Sequence, residues 1–379
     1  MPTRSPLTRR DALKAAVLAA TALYASSTPL KALAQNGEPF DPGGRVRVKY
    51  DETMSFNELY DNPPLLGRSE SWGLRILAEP DDNSKFVRTV GYDDVLPIYN
   101  AVHGKAPAAL KNNDVWYDVG GVYVHSSYVV PVHEVFNPVE ADIGSGFWGE
   151  ITVPTSWQHW DPKLLSKRYY DFAYGTVFKV LDKATEPDGR AWYRLIDDLT
   201  GDKTWWVQAT HVRRIQKEEF APISPDVPPQ EKLIHVSIGK QVLTCYESGT
   251  VVFETRIASG AAFFDPQGVI HQFGTPWGNH NILWKMPSRR MVGGQVINDV
   301  YDLPGVPWCS FFTDSGAAVH GTYWHNDFGR PRSHGCVNVT SDAAKWVYRW
   351  GNPYAGYDDA MHMTTEAEKD AATPVIVEQ

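Results

Sequence analysis

The chain is predicted to be mainly β with one short helix near its C-terminus, and three observations carry that expectation. Apolar residues recur mostly in short runs that alternate with polar ones, the period of a half-buried strand. The runs are separated by residues with turn chemistry, such as Pro187-Asp188-Gly189 and Ser248-Gly249. The composition, with 14 Trp, 18 Tyr and 27 Pro, favours short strands and turns over helical bundles. At 379 residues, 42% of them hydrophobic, the chain has material for two or three packed cores rather than one.

Residues 1–34 read as an export signal of twin-arginine type. Arg4, Arg9 and Arg10 give a positive start, Ala15 to Tyr24 is apolar but too short to span a bilayer, and Ala32-Leu33-Ala34 offers a small-x-small cleavage site. An exported, extracytoplasmic, wall-associated protein with no permanent membrane span is the expectation. Formal charge is −9 for the whole chain, and without residues 1–34 it becomes −13, from 31 Lys and Arg against 44 Asp and Glu. No basic patch dominates, which argues against nucleic acid as a partner. Residues 35–70 are read as an N-terminal extension.

A weak repeat follows. Trp72-Gly73 recurs as Trp148-Gly149, Trp116-Tyr117 as Trp192-Tyr193, and Tyr123 to Val129 finds an echo in Trp206 to Val212, with a longer hairpin expected around Asp197 to Lys203. Two copies of one small unit are expected, at 71–135 and 145–216. Gly121-Val122-Tyr123-Val124-His125 after a Trp-Tyr strand resembles the terminal strand of bacterial SH3-like barrels, and Trp205-Trp206-Val207 resembles it more loosely. That resemblance implies either modules that hold wall material or rigid spacers. Residues 217–231, with Pro222, Pro225, Pro228 and Pro229 in or beside two glutamates, read as a stiff interdomain linker. From Leu233 a meander of alternating strands begins. The helix is expected at Ser341 to Trp350, with Ser341 or Asp342 as N-cap and Gly351 as stop. Residues 353–379 read as a polar, partly loose tail.

The segment that carries chemistry runs from His320 to Asn338. Cys336 follows His334 by two residues and His320 by 16. A thiolate is the reactive form of cysteine, and a histidine partner lowers its pKa and stores the proton. Gly335 removes side-chain bulk beside the thiol, where backbone N–H groups approach a developing oxyanion. Residue types alone leave two alternatives open. His320, His325, His334 and Cys336 are all potential zinc ligands, although no Cys-x2-Cys pair accompanies them. Cys336 is also readable as a buried structural thiol beside incidental histidines. Cys245 and Cys309 are read as packing thiols, with pairing to each other or of Cys309 to Cys336 as the alternative.

The pattern His320-Gly321-Thr322, a loop, then Ser333-His334-Gly335-Cys336 resembles the active-site signature of the L,D-transpeptidases, the YkuD-type catalytic domain. Thr275-Pro276-Trp277-Gly278 is similar to that family's Thr-Pro-x-Gly turn. Met286 to Met291 and Tyr301 to Trp308 are similar to its middle strands and substrate-facing flap. The resemblance covers about residues 232–350, within a catalytic domain placed at 232–352. It implies a β-sandwich-type fold with a short helix after the nucleophile. It also implies Cys336 as nucleophile, His320 as general base and acid, and the Gly321 carbonyl as the group that orients that imidazole. Ser333, His334 and Gly335 would shape the nucleophile turn and oxyanion pocket. Tyr301, Trp308, Tyr323 and Asn338 would face substrate, Asn338 standing where many members have Arg, and Trp324 is a further aromatic candidate for the cleft wall. The implied reaction is acyl transfer on peptidoglycan stem peptides, with no metal or organic cofactor and with carbapenem-type inhibitors expected to acylate Cys336. A carboxypeptidase that trims stems, and a wall-binding protein with an idle catalytic domain, are the alternatives.

Overall fold

The computed structural model describes residues 65–199, 205–264, 268–294 and 301–379. The expected export signal, all but the last residues of the expected N-terminal extension, and the tip of the Asp197 to Lys203 hairpin lie outside them. Almost every described element is a strand, and the one α-helix among the described residues is Ser341–Trp350.

The first module begins earlier than the sequence suggested. Leu66–Ser69, assigned above to the extension, is the central strand of a three-stranded sheet between Val95–Pro97 and Val129–Val132. Its four residues are all buried, which places the strand in the module. A five-stranded sheet packs beside it around Ile76, Ile98, Tyr117, Val124 and Val129. The second module is a seven-stranded sheet with a core of Phe147, Phe172, Phe178, Trp205 and Val207. The two stretches aligned as echoes share one shape: Tyr123–His125, a 3-10 turn at Ser126–Tyr128 and Val129–Val132 match Trp205–Gln208, Ala209–His211 and Val212–Arg214. The Trp-Gly echo is not equivalent. Trp148 is buried inside a strand, whereas Trp72 sits in an exposed turn before Leu74–Leu77.

Residues 217–231 are no free spacer. They fold into 3-10 turns at Lys217–Phe220 and Pro229–Glu231. Phe220 is buried against Trp308, Tyr348 and Tyr357, and Glu219 holds both Arg213 and Lys345. One buried aromatic ring and a shared carboxylate dock this segment onto the C-terminal domain.

That domain stacks two five-stranded sheets. One runs Thr250–Arg256, Val242–Glu247, Lys232–Ser237, Pro374–Glu378, Gly278–Asn281; the other runs Val337–Val339, Ala318–Gly321, Tyr301–Phe311, Trp284–Gly293, His362–Met363. Residues from both sheets and from the helix, including Ile234, Leu243, Trp308, Val337 and Val347, share one core. The strand Pro374–Glu378 corrects the reading of 353–379 as a loose tail. It pairs parallel to Lys232–Ser237 and antiparallel to Gly278–Asn281, with Val375 and Val377 buried in the core. The helix is capped one residue earlier than expected, because the Thr340 side chain accepts from the Ala343 N–H; Gly351 ends it. Lys285 and Lys232, both buried, donate to carbonyls of its last turn and of Gly351, satisfying groups that a helix C-terminus leaves open.

Candidate active site

Two short parallel strands bring the segments that hold His320 and Cys336 side by side. Ala318–Gly321 and Val337–Val339 pair in register, Val319 opposite Val337 and His320 opposite Asn338, so Cys336 enters the sheet at the level of Ala318. Side chains two apart on a strand share a face, which puts Ala318 and His320 on one side of their strand. His320 is buried, and its Nδ1 lies 3.0 Å from the Gly321 carbonyl oxygen. A carbonyl only accepts, so Nδ1 carries the proton and Nε2 is left as the basic nitrogen. The Trp324 ring packs 5.7 Å from the imidazole.

Ser333 staples the nucleophile turn. Its hydroxyl donates to the Cys336 carbonyl and accepts from the Gly335 N–H at 3.2 Å. Gly335 has φ +112, a region open to glycine and costly for other residues. The His334 ring is stacked on Phe263 at 4.3 Å and touches Phe273 and Tyr301. Phe263 and Phe273 carry no motif of their own; they come from the segment that holds the small hairpin of Ala262–Phe264 and Ile270–Gln272.

Cys336 is partly buried at the wall of a cleft of about 780 Å³. His334, Gly335 and Tyr301 line the same cleft, with Met286, Arg289, Arg290 and Met291 of the strand Trp284–Gly293 opposite. The Met286 to Met291 stretch therefore does face the cleft. The resting thiol differs from the expected thiolate. Burial pushes Cys336 up to about 11, only partly offset by the Ala318 backbone N–H, and burial pushes His320 down to about 4 despite its bond to Gly321. Desolvation disfavours both charged forms, so each group rests neutral, and the thiol donates toward the Gly316 carbonyl oxygen 3.9 Å away.

Several expected positions turn elsewhere. Trp308 is 2% exposed and packs on Phe220 and Tyr348 in the core between the sheets; its φ of +58 marks a local twist of the long strand. Tyr323 is buried and donates its hydroxyl to the Pro304 carbonyl, away from the cleft. Asn338 is buried with its amide 3.0 Å from His325 Nε2. None of these three lines the Cys336 cleft. All three cysteines are free. Cys309 sits in a core cluster that Cys336 packs against, with no bond between the two thiols. Cys245 belongs to the other sheet and to a different core cluster. His325 is occupied by Asn338 and the Asp327 N–H, and no cluster of three or more metal-ligating side chains occurs among the described residues. No helix among them is long and apolar enough to cross a membrane.

The residue that sequence reasoning missed altogether is Leu199. It belongs to the second module, yet lines the cleft. Neighbouring Asp198 bonds the Arg289 guanidinium and the Arg290 N–H, and Arg290 is paired with Asp302. No local pattern announces a contact between positions 91 residues apart.

Residues 231–377 match the family model described as the YkuD L,D-transpeptidase catalytic domain. No curated protein matches the chain. Similar solved structures include an L,D-transpeptidase of Xylanimonas cellulosilytica at 23% identity, covering 39% of this chain and 60% of that one with a TM-score of 0.26. A second, from Enterococcus faecium, has 22% identity, covers 39% and 50%, and has a TM-score of 0.28. The catalytic domain of the Enterococcus faecium enzyme acylated by ertapenem has 22% identity, covers 39% and 97%, and has a TM-score of 0.27. This chain spans about half to three-fifths of the length of the first two. The chain thus carries an L,D-transpeptidase catalytic domain at 231–377.

Proposed function

We propose that the chain is an exported peptidoglycan L,D-transpeptidase in which Cys336 is the nucleophile and His320 the general base and acid. The observation that carries this is the placement of His320 within one strand and of Cys336 immediately before its parallel partner, with the thiol at the wall of a cleft of peptide size. The neutral resting pair sets the first step. As the Cys336 sulfur attacks the carbonyl of the third stem residue, the thiol proton passes to His320 Nε2, so neither charge exists before the substrate has displaced water. Gly321 holds the ring in the tautomer that leaves Nε2 free. The tetrahedral oxyanion is met by backbone N–H groups of the nucleophile turn. Because the Gly335 N–H is already bonded to Ser333, the Cys336 N–H is the donor assigned to it.

Collapse of the intermediate breaks the bond to the terminal D-Ala. Its amine leaves with the proton from His320, and a thioester joins Cys336 to the donor stem. An amine of a second stem then attacks the thioester, gives its proton to His320 and releases the crosslinked product with the thiol restored. Atoms and charge balance without ATP, metal or redox partner.

A carbapenem tests the site directly, since its strained amide presents the same acyl carbon. The purified chain without residues 1–34 should gain one adduct by intact mass, and Cys336→Ala should gain none. A folded wild-type protein that keeps its unmodified mass refutes the assignment. Products from disaccharide tetrapeptides then separate crosslinking from trimming.

A further inference from the structure

Large rings face solvent on both modules, and they converge on one groove. Trp72 is 81% exposed and stacks on Tyr92 with centroids 5.8 Å apart and planes inclined by 23°. On the second module Trp157 is 47% exposed, with the Arg168 guanidinium 5.1 Å above its ring. Trp157 is the cross-strand partner of Asp171, so both side chains stand on one face of the sheet. Tyr92 from the first module and Asp171 from the second line a single hollow of about 60 Å³, and Trp324, whose ring neighbours His320, lines it too. Aromatic rings left in water across a module boundary mark a binding surface rather than a core.

The polar groups in the hollow say what the rings bind. Arg68 is committed to Asp93 and to the Tyr323 carbonyl. The Asp171 carboxylate is exposed and accepts no hydrogen bond from the described side chains, and burial of the hollow around it raises its pKa to about 6. The polar groups beside the rings are of both kinds: Asp171 accepts, and Arg168, whose charge reaches Asp171, brings N–H donors over Trp157. A fitting ligand brings flat C–H faces to the rings and several O–H or N–H donors to the carboxylate, which is the chemistry of a pyranose. A proline-rich peptide, the other frequent occupant of aromatic-lined grooves, brings carbonyl acceptors and few donors.

We propose that the two modules jointly bind a saccharide chain along Trp72, Tyr92 and Trp157, its hydroxyl or acetamido donors directed at Asp171. Naming that chain as the glycan strand whose stem enters the Cys336 cleft rests on the function proposed above; the groove itself does not.

The test uses the chain without residues 1–34, in the Cys336→Ala form, titrated with β-1,4-linked N-acetylglucosamine hexamer by calorimetry. Saturable binding is expected. Trp72→Ala and Trp157→Ala should each raise Kd about tenfold, the scale of one lost ring-stacking contact. Both side chains are exposed, so Tm should not move, and in the Cys336 background the rate of carbapenem adduct formation should stay that of wild type. Absence of saturable binding overturns the proposal. So do Kd values indifferent to both substitutions, or a polyproline decamer that binds at the same rings in place of the hexamer. Because glycan binding is read without turnover and adduct formation without glycan, either reading fails independently of the other.

Discussion

The two modules are similar in size, yet they hold different parts of the catalytic domain. The first grips the loop that joins His320 to Cys336. Arg68 donates to the Tyr323 carbonyl, Asn112 to the Phe328 carbonyl, and Asn326 reaches back to Ser126 and Tyr117. These contacts are polar, and all but that of Asn326 with the Tyr117 hydroxyl are directed at backbone. The second module grips the long hairpin of Trp284–Gly293 and Tyr301–Phe311 that forms the cleft wall. Phe178 packs where Gly305 leaves no room for a Cβ, Ser288 donates to the Val177 carbonyl, and Asp198 ties down Arg289 and Arg290. On the function proposed above, one module fixes where the reacting atoms are and the other fixes the surface that meets substrate. Loss of the first grip should slow chemistry, and loss of the second should weaken binding.

The largest effect is expected at Arg68. Arg68→Ala frees the chain three residues after His320 and should lower the first-order rate of carbapenem acylation about a hundredfold, the scale of an ångström-sized misplacement of a catalytic group. The half-saturating concentration should stay within about twofold of wild type, since an unchanged wall leaves ground-state binding intact. Removing the guanidinium also leaves Glu70 and Asp93 without their cation, so Asn326→Ala supplies a milder break in the same grip. A defect confined to binding in both variants would erase the distinction between the modules.

A smaller effect is expected at Asp198. The pair with Arg289 is partly exposed, where such bridges contribute about 0.2–1 kcal/mol, and Asp198 also accepts from the Arg290 N–H. Asp198→Asn should raise the half-saturating concentration about fivefold with the acylation rate constant unchanged. The exchanged pair Asp198→Arg with Arg289→Asp should recover the share of the loss that the ion pair carries and leave the share carried by the Arg290 N–H. Stopped-flow acylation kinetics read both quantities, and a fall in the rate constant alone would assign the second module to the wrong task.

How much of this was legible in sequence follows from how local each feature is. Cys336, His320, Ser333 and Gly335 lie in two short runs whose geometry is set by neighbours: a carbonyl one residue away, a hydroxyl three residues before its acceptor, a glycine at positive φ. The meander from Leu233 shows because period-two alternation is local as well. The aromatic candidates failed because a ring's chemistry does not say which face of a strand it takes. Trp308 and Tyr323 went to the interior, and only Tyr301 reached the cleft. Pro374–Glu378 carries the alternation of a strand, but its partners lie far away in sequence, at Lys232–Ser237 and Gly278–Asn281. Leu199, Asp198 and Arg68 act across module boundaries, where pattern gives no register.

The smallest effect separates the two grips by pH. Glu70 sits in the first one, its side chain 4% exposed, 3.5 Å from Arg68, with both oxygens lacking a hydrogen-bond donor. Desolvation raises its pKa to about 8, against the pull of Arg68 and Arg332 and with the push of Asp93 and Asp327. The folded state therefore holds a proton that the unfolded chain releases near the ordinary 4.5. Between those values the native state binds more protons, so this group's contribution to stability is complete below about pH 4.5 and declines as pH rises to about 8. Glu70→Gln keeps the neutral shape without the titration. Wild type and variant should melt together at pH 5, and the variant should melt a few degrees higher at pH 8, since about 1 kcal/mol moves Tm by roughly 2–4 °C in a domain of this size. Amide exchange at pH 8 should find the wild-type loosening in residues 322–332 and not in the Trp284–Gly293 hairpin. Equal melting at both pH values, or loosening in the hairpin, would show that the buried carboxyl has no bearing on which part of the catalytic domain the first module secures.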